Sequence, residues 1–244
     1  MSFPLQRGIV RMACALVCAV ATQAASAQAI SLAETLLFQT NHLHNVGAPL
    51  TLTYAFHKTG SLEPGFDDQV EVILADGKPG ALPDGASESK PGGKPDLKPS
   101  VTMQFLSGAR QRKTPDAENA EGNPALLGFL ERDIAEMQRL TGGSGNYFRK
   151  RIRLALADGA QVRPARFTYA GKALDGREVS IEPYRNDPLA KRFERYVPKR
   201  YTFVVSAQVP GGVYRMGSML AGPAGGAPLM EETLTLVSAA NQKR

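Results

Sequence analysis

The clearest pattern in this chain is an alternation: Leu50, Leu52, Tyr54 and Phe56 interleave with Thr51, Thr53, Ala55 and His57. A period of two puts the first set on one face of a β-strand and the second on the other, so one face is buried and one is wet. Gly60 and Pro64-Gly65 supply a turn, and Val70, Val72 and Leu74 alternate with Gln69 and Glu71 in a second strand. Val101, Met103 and Phe105 mark a third. The period then changes. Leu127, Leu130, Ile134 and Met137 recur at helical spacing behind Asn123, a good N-cap, and Pro124, which suits a first helical turn. Gly142-Gly143 ends that helix. Residues 147–157 fit both periods: Phe148, Ile152, Ala155 and Leu156 form a helical stripe, while Phe148, Ile152, Leu154 and Leu156 share a strand face. The propensity of Leu154-Ala155-Leu156-Ala157 favours helix, with Asp158-Gly159 as its exit.

Strand patterns then return at Phe167 and Tyr169, at Val179 and Ile181, and at Tyr201, Phe203 and Val205. The stretch from Gly171 to Gly176 reads as a connecting turn, and Pro210-Gly211-Gly212 turns the chain into Val213-Tyr214 before a last strand at Leu234 and Leu236. A short amphipathic lead, residues 29–38, reads as helical. No βαβ alternation supports a parallel sheet. The expected fold class is therefore α+β: an antiparallel meander of about eight strands, as an open barrel or strongly curved sheet, with one or two helices between its third and fourth strands. Residues 76–99, with Asp76-Gly77-Lys78-Pro79-Gly80 and Lys90-Pro91-Gly92-Gly93-Lys94-Pro95, have too little apolar content to offset their ordering entropy. They read as a flexible loop within a single domain spanning 28–244.

The first residues change the picture by giving an address. Arg7 and Arg11 precede an apolar run from Met12 to Ala21, and Ala25-Ser26-Ala27 offers a small-x-small cleavage pattern. The run is shorter than the roughly 20 apolar residues a membrane span needs. Residues 1–27 thus read as a removable signal, and the mature protein as periplasmic or secreted, with no transmembrane segment after cleavage. Cys14 and Cys18 are lost with that signal, so disulfides and thiol chemistry are excluded from the mature chain. Val17 suits a lipid attachment at Cys18 poorly.

Charge is unevenly spread. Residues 28–148 carry 10 basic and 15 acidic side chains, whereas 149–200 carry 14 basic and 6 acidic. Such asymmetry suggests a face that meets anions. Arg149, Lys150, Arg151 and Arg153 crowd one element and Lys191, Arg192, Arg195, Lys199 and Arg200 another, with Tyr147, Phe148, Phe193, Tyr196 and Tyr201 interleaved; Arg149, Arg151, Arg153, Lys191, Arg192 and Arg195 stand out among them. These six cations are the candidate anion-binding residues, because guanidinium forks match phosphate and carboxylate. Phe56, Phe105, Phe167, Tyr169 and Phe203 are the candidate wall for an apolar ligand. An exported chain seldom meets nucleic acid, so anionic lipid, lipopolysaccharide or an envelope polymer is the expected partner. The competing account is a solvated basic face balanced by the acidic N-terminal part.

Catalytic patterns are thin. Gly-x-Ser-x-Gly, His-Glu-x-x-His and a phosphate-binding glycine loop are all missing from the sequence. Ser87-Glu88-Ser89-Lys90 has Ser-x-x-Lys spacing, but within the Pro/Gly-rich loop. His42 and His44 would share a side if residues 41–45 were extended, and His57 lies on the following strand. Asp67-Asp68 and Glu231-Glu232 read as solvated charge at strand ends. No catalytic residue, metal site or cofactor is assigned.

The Tyr54-x-Phe56-x-x-x-Gly60 strand end, the Gly142-Gly143 helix exit and the Val209-Pro210-Gly211-Gly212 hairpin resemble uncharacterised exported proteins of Gram-negative bacteria. In element order, strands wrapped on a helix resemble the open-barrel lipoprotein carriers of the periplasm. The resemblance transfers no site residue. The expected function is non-enzymatic binding of an amphipathic or anionic cell-envelope component. An envelope hydrolase using carboxylates or a histidine metal site, and an interaction subunit of an envelope complex, stay open as alternatives.

Overall fold

A computed structural model describes residues 29–76, 100–114, 116–223 and 226–241. The expected signal, residues 1–27, and residues 77–99 of the expected loop lie outside the described residues. A short helix α1 (Leu32–Glu34), continued by a π-turn over Thr35–Gln39, precedes strands β1 (Leu50–Thr59), β2 (Phe66–Ala75), β3 (Ser100–Phe105) and the two-residue β4 (Arg112–Lys113). Helices α2 (Pro124–Thr141) and α3 (Gly145–Leu154) follow, then β5 (Gln161–Tyr169), β6 (Lys172–Ile181), β7 (Arg200–Val205), β8 (Val213–Leu220) and β9 (Met230–Asn241). Apart from β4 there are eight strands, with both long helices between the third and fourth.

All nine strands join one open antiparallel sheet in the order β4-β3-β2-β1-β9-β8-β7-β6-β5. This is not the simple meander expected from sequence, because β9 returns to pair with β1 along its whole length. The consequence is spatial. The chain leaves the sheet at the β4 edge and must re-enter at the opposite edge, β5, so α2 and α3 carry it across one face. Eighteen residues of α2 span about 27 Å at 1.5 Å per residue, long enough to cross several strands spaced about 4.8 Å apart.

That face is the core. Leu52, Tyr54 and Phe56 of β1, Val70, Val72 and Leu74 of β2, and Tyr201 and Phe203 of β7 are buried with Phe129, Ile134 and Met137 of α2 and Phe148 and Ile152 of α3. Full burial of each such side chain contributes about 1.5–3 kcal/mol. At Gly128 the helix lies so close to β3 that a Cβ would come within 2.6 Å of Met103 Cε and 2.8 Å of Phe105 Cδ2. Phe56, Phe105 and Phe203, chosen from sequence as a ligand wall, are core residues: α2 lies against Phe105 at Gly128, its Arg132 lies over the Phe56 ring, and Phe203 is fully buried.

Local signals behave as their chemistry requires. Asn123 caps α2 by accepting from the Ala125 amide at 3.1 Å, and Gly142 closes it in the left-handed conformation (φ 67°). Residues 145–154 are helical, followed by a π-turn over Ala155–Gly159. One expectation needs correction. Residues 172–176 are not a turn but the start of β6, because Ala170 and Gly171 (φ 48° and 75°) alone reverse the chain between Tyr169 and Lys172. A two-residue turn with both central φ values positive matches the twist of the strands it joins.

Candidate functional site

A groove of about 650 Å³ opens where the end of α3, the π-turn after it, the start of β5, the end of β6 and the start of β7 converge. Arg151, Arg163, Arg185 and Arg200 line it, against the carboxylates Asp158 and Glu182, with Leu154 as an apolar flank. Arg185 is paired with Glu182 at 2.9 Å. Arg163 donates to Gln161 Oε1 at 2.5 Å, and Arg200 donates to Ser180 Oγ at 3.2 Å. Among the described residues neither Arg163 nor Arg200 forms an ion pair, so two guanidiniums bring unneutralised charge to one groove.

Arg151 is held differently. Its Nε lies 2.8 Å from Oδ2 of buried Asp187, whose Oδ1 accepts from the Leu189 amide at 2.7 Å and from the Tyr147 hydroxyl. Burial first, and then Asp187, push the Tyr147 phenol up to about 12, so it stays a donor at neutral pH. The two basic segments meet here. Phe148 of α3 packs edge-on against Tyr184 and Phe193, with ring centroids 5.7 Å and 5.8 Å away. The interleaved aromatics are therefore the fastening, buried inward, while Arg153, Lys191, Arg192 and Arg195 stay exposed outside. Arg149 sits apart from the groove, bonded to Glu131 at 2.6 and 2.8 Å. Of the six predicted cations only Arg151 lines the groove. Arg163 and Arg185 carry no sequence signal because each is a single cation on its own segment, whereas Arg200 ends the crowded stretch from Lys191 without being one of the six.

Beneath α2 the structure holds a polar row that the sequence did not announce, and one member of it, Glu232, was expected in solvent. Lys58, Glu232, Ser218 and Tyr201 are register partners across β1, β9, β8 and β7, forming one polar row on the core face. Arg132, Asp133 and Glu136 of α2 meet it. Lys199 donates to Asp133 Oδ1 at 2.5 Å, Ser218 to the same oxygen at 3.0 Å, and Tyr201 to Oδ2 at 2.6 Å. Since Tyr201 spends its one hydrogen on Asp133, Tyr184, 3.1 Å away, donates to it. Arg132 bonds Glu232 at 2.7 Å, and Lys58 reaches Glu63 at 2.7 Å, Glu136 at 3.3 Å and Glu232 at 3.5 Å. Glu232 is thus buried, not solvated, and so is the Asp68 side chain, which is bonded to Arg110 at 3.0 Å. The core-facing half of each strand-end acidic pair was mistaken for surface.

The row has a signature in acid. Arg139 donates 2.9 and 2.7 Å bonds to Glu136 and, against burial and with help from Lys58, holds that carboxyl down at about 2 from an ordinary 4.5. A depressed folded value contributes stability that is complete above about 4.5 and is lost as pH falls towards about 2. Burial raises Glu232 instead, so its contribution has the opposite sign and favours the fold as pH falls. Glu136→Gln should therefore lower stability at neutral pH and flatten its decline between pH 4.5 and 2. Urea unfolding across that range would show it, and a decline as steep as the parent's would contradict the assignment.

The histidines lie apart. Residues 42–45 form a 3₁₀ turn, not the extended segment that would put His42 and His44 on one side. Buried His42 accepts from the Asn123 amide through Nδ1 (3.3 Å) and so donates through Nε2 to Leu36 O (2.8 Å), a neutral tautomer consistent with a value lowered by burial. His57 is exposed and bonded to Asp67. Phe167 and Tyr169, the rest of the predicted apolar wall, are half-buried beside Tyr214, which stacks on Phe167 at 4.1 Å. A smaller depression of about 420 Å³ lies between Leu36, His42, Val205 and Ala207.

No family model and no curated protein matches the chain. Solved structures similar to it include lipoprotein LppX of Mycobacterium tuberculosis, 9% identical with a TM-score of 0.30, covering 76% of this chain and 83% of that one. LprF of Mycobacterium bovis is 13% identical with a TM-score of 0.33, covering 87% and 94%. A LolA-superfamily protein of Nitrosomonas europaea is 8% identical with a TM-score of 0.21, also covering 87% and 94%. Among the described residues no helix is long and apolar enough to cross a membrane.

Proposed function

We propose that this exported protein is a non-catalytic binder of an anionic, amphipathic cell-envelope component, held in the arginine groove and not within the sheet. The observation that carries the reading is the pair Arg163 and Arg200, which form no ion pair among the described residues, in a groove flanked by Leu154. Filling of the core face by α2 supports the same placement, since Phe56, Phe105 and Phe203 already have their partners. Two guanidinium forks suit a phosphate or carboxylate head, and Arg185 and the exposed cations Arg153, Lys191, Arg192 and Arg195 add a surrounding field.

Dodecyl phosphate below its critical micelle concentration is a suitable probe, with neutral dodecyl maltoside as control. Calorimetric titration should show binding of the phosphate alone, weakening as salt screens the charge. Arg163→Ala and Arg200→Ala should each weaken it about 10- to 100-fold, the worth of one charge-assisted hydrogen bond, with melting temperature nearly unchanged. Equal binding of both amphiphiles, or of neither, would sink the reading. Arg151 is a poor choice for this test: its removal would leave buried Asp187 without its cation and destabilise the fold.

A further inference from the structure

We infer that the groove side of the molecule is a docking face for an anionic lipid bilayer, with Ile30, Leu32, Leu154 and Leu189 entering the interface among exposed arginines and lysines. The inference rests on the groove reading, because a bilayer surface is where an anionic amphiphile would be collected.

Exposed apolar side chains collect here. Ile30 is 61% exposed, Leu32 57%, Leu154 40% and Leu189 37%, half of the exposed large hydrophobic residues among the described residues. Each is tied to the groove by a contact. Leu154 lines it. Leu189 donates its amide to Asp187, the carboxylate that holds Arg151. Ile30 and Leu32 flank Ser31, whose hydroxyl bonds Leu156 O at 2.8 Å and fastens the start of α1 to the π-turn that walls the groove. That start is itself well made, with Ser31 and Glu34 forming a reciprocal capping box, so Ile30 and Leu32 are exposed on ordered backbone.

The charge around them has one predominant sign. Arg153, Arg163, Arg185, Lys191, Arg192 and Arg195 are exposed on these segments, against Asp158, Glu182 and Glu194. Isolated apolar residues on a surface need no explanation, but four of them among basic side chains make the pairing that anionic membranes attract. Cations draw the face to the headgroups, and the aliphatic side chains gain by leaving water.

Flotation of vesicles tests it, using the exported chain without residues 1–27. Vesicles of phosphatidylcholine with 30% phosphatidylglycerol should carry the protein at low salt and release it at high salt, and pure phosphatidylcholine should not carry it. The double variant Ile30→Asp/Leu32→Asp, outside the groove lining, should lose about tenfold or more of the vesicle partitioning while keeping the parent's affinity for dodecyl phosphate. Leu189→Asp, on another segment, should act in the same direction. Parent protein that binds dodecyl phosphate but ignores the anionic vesicles would overturn the docking face and leave the groove reading standing; failure on both probes would overturn both. Variants that partition like the parent, or equal binding to neutral and anionic vesicles, would also refute the docking face.

Discussion

Asp133→Ala should destabilise the protein by about 3–5 kcal/mol, the cost of leaving a buried charge without its partner. Asp133 and Lys199 are 1% and 0% exposed, and the ammonium lies 2.5 Å from the carboxylate. Loss of the carboxylate strands more than Lys199. Tyr201 and Ser218 donate to the same group and would lose their acceptor in a space that α2 keeps dry. The pair is not thereby a large net source of stability, because taking two charges out of water costs nearly what their attraction returns. Removing both should reveal this: Asp133→Leu with Lys199→Met should recover most of the loss, leaving chiefly the orphaned hydroxyls. Urea unfolding of the parent, the single variant and the double variant measures it. A single variant costing less than about 1 kcal/mol would mean that water reaches the pair and that the row is not sealed.

The same row shows where sequence reading succeeds and where it stops. Period-two alternation finds β1 because Leu52, Tyr54 and Phe56 are large and apolar and their neighbours are polar or small. It loses the strand's last inward position, since Lys58 has the residue type of the wet face while occupying the dry one. Only the pairing of β1 with β9, β9 with β8 and β8 with β7 brings Lys58, Glu232, Ser218 and Tyr201 into line. Register across strands that far apart in sequence leaves no local trace. The return of β9 to β1 was invisible for the same reason, and with it the path of α2 over the core face. The groove was half legible. Its neighbourhood was marked by the basic segments around Arg151 and from Lys191 to Arg200, and the rest of its lining was not, because Arg163 and Arg185 are single cations on separate segments.

Asn123→Ala should cost about 2–4 kcal/mol, more than the loss of an ordinary helix cap, which is typically about 1 kcal/mol. The side chain caps α2 with its carbonyl oxygen and uses its amide nitrogen elsewhere, donating to the Tyr54 hydroxyl at 2.7 Å and to Gly211 O at 2.8 Å. It thereby pins the start of α2 to the middle of β1 and to the turn between β7 and β8. Tyr54 would keep one bond after truncation, since its hydroxyl donates to Val213 O at 3.1 Å. Gly211 O would be left buried without its donor. Gly211 also holds a positive φ of 73° in that turn, so the lost bond falls on a backbone with few alternatives. Asn123→Ser separates the two roles: a serine caps the helix but cannot reach both acceptors. It should therefore recover only the capping share, about 1 kcal/mol, and the amides of residues 211–213 should still exchange faster than in the parent. If serine restores full stability and the turn exchanges as slowly as before, the pins contribute nothing, and Asn123 is a cap alone.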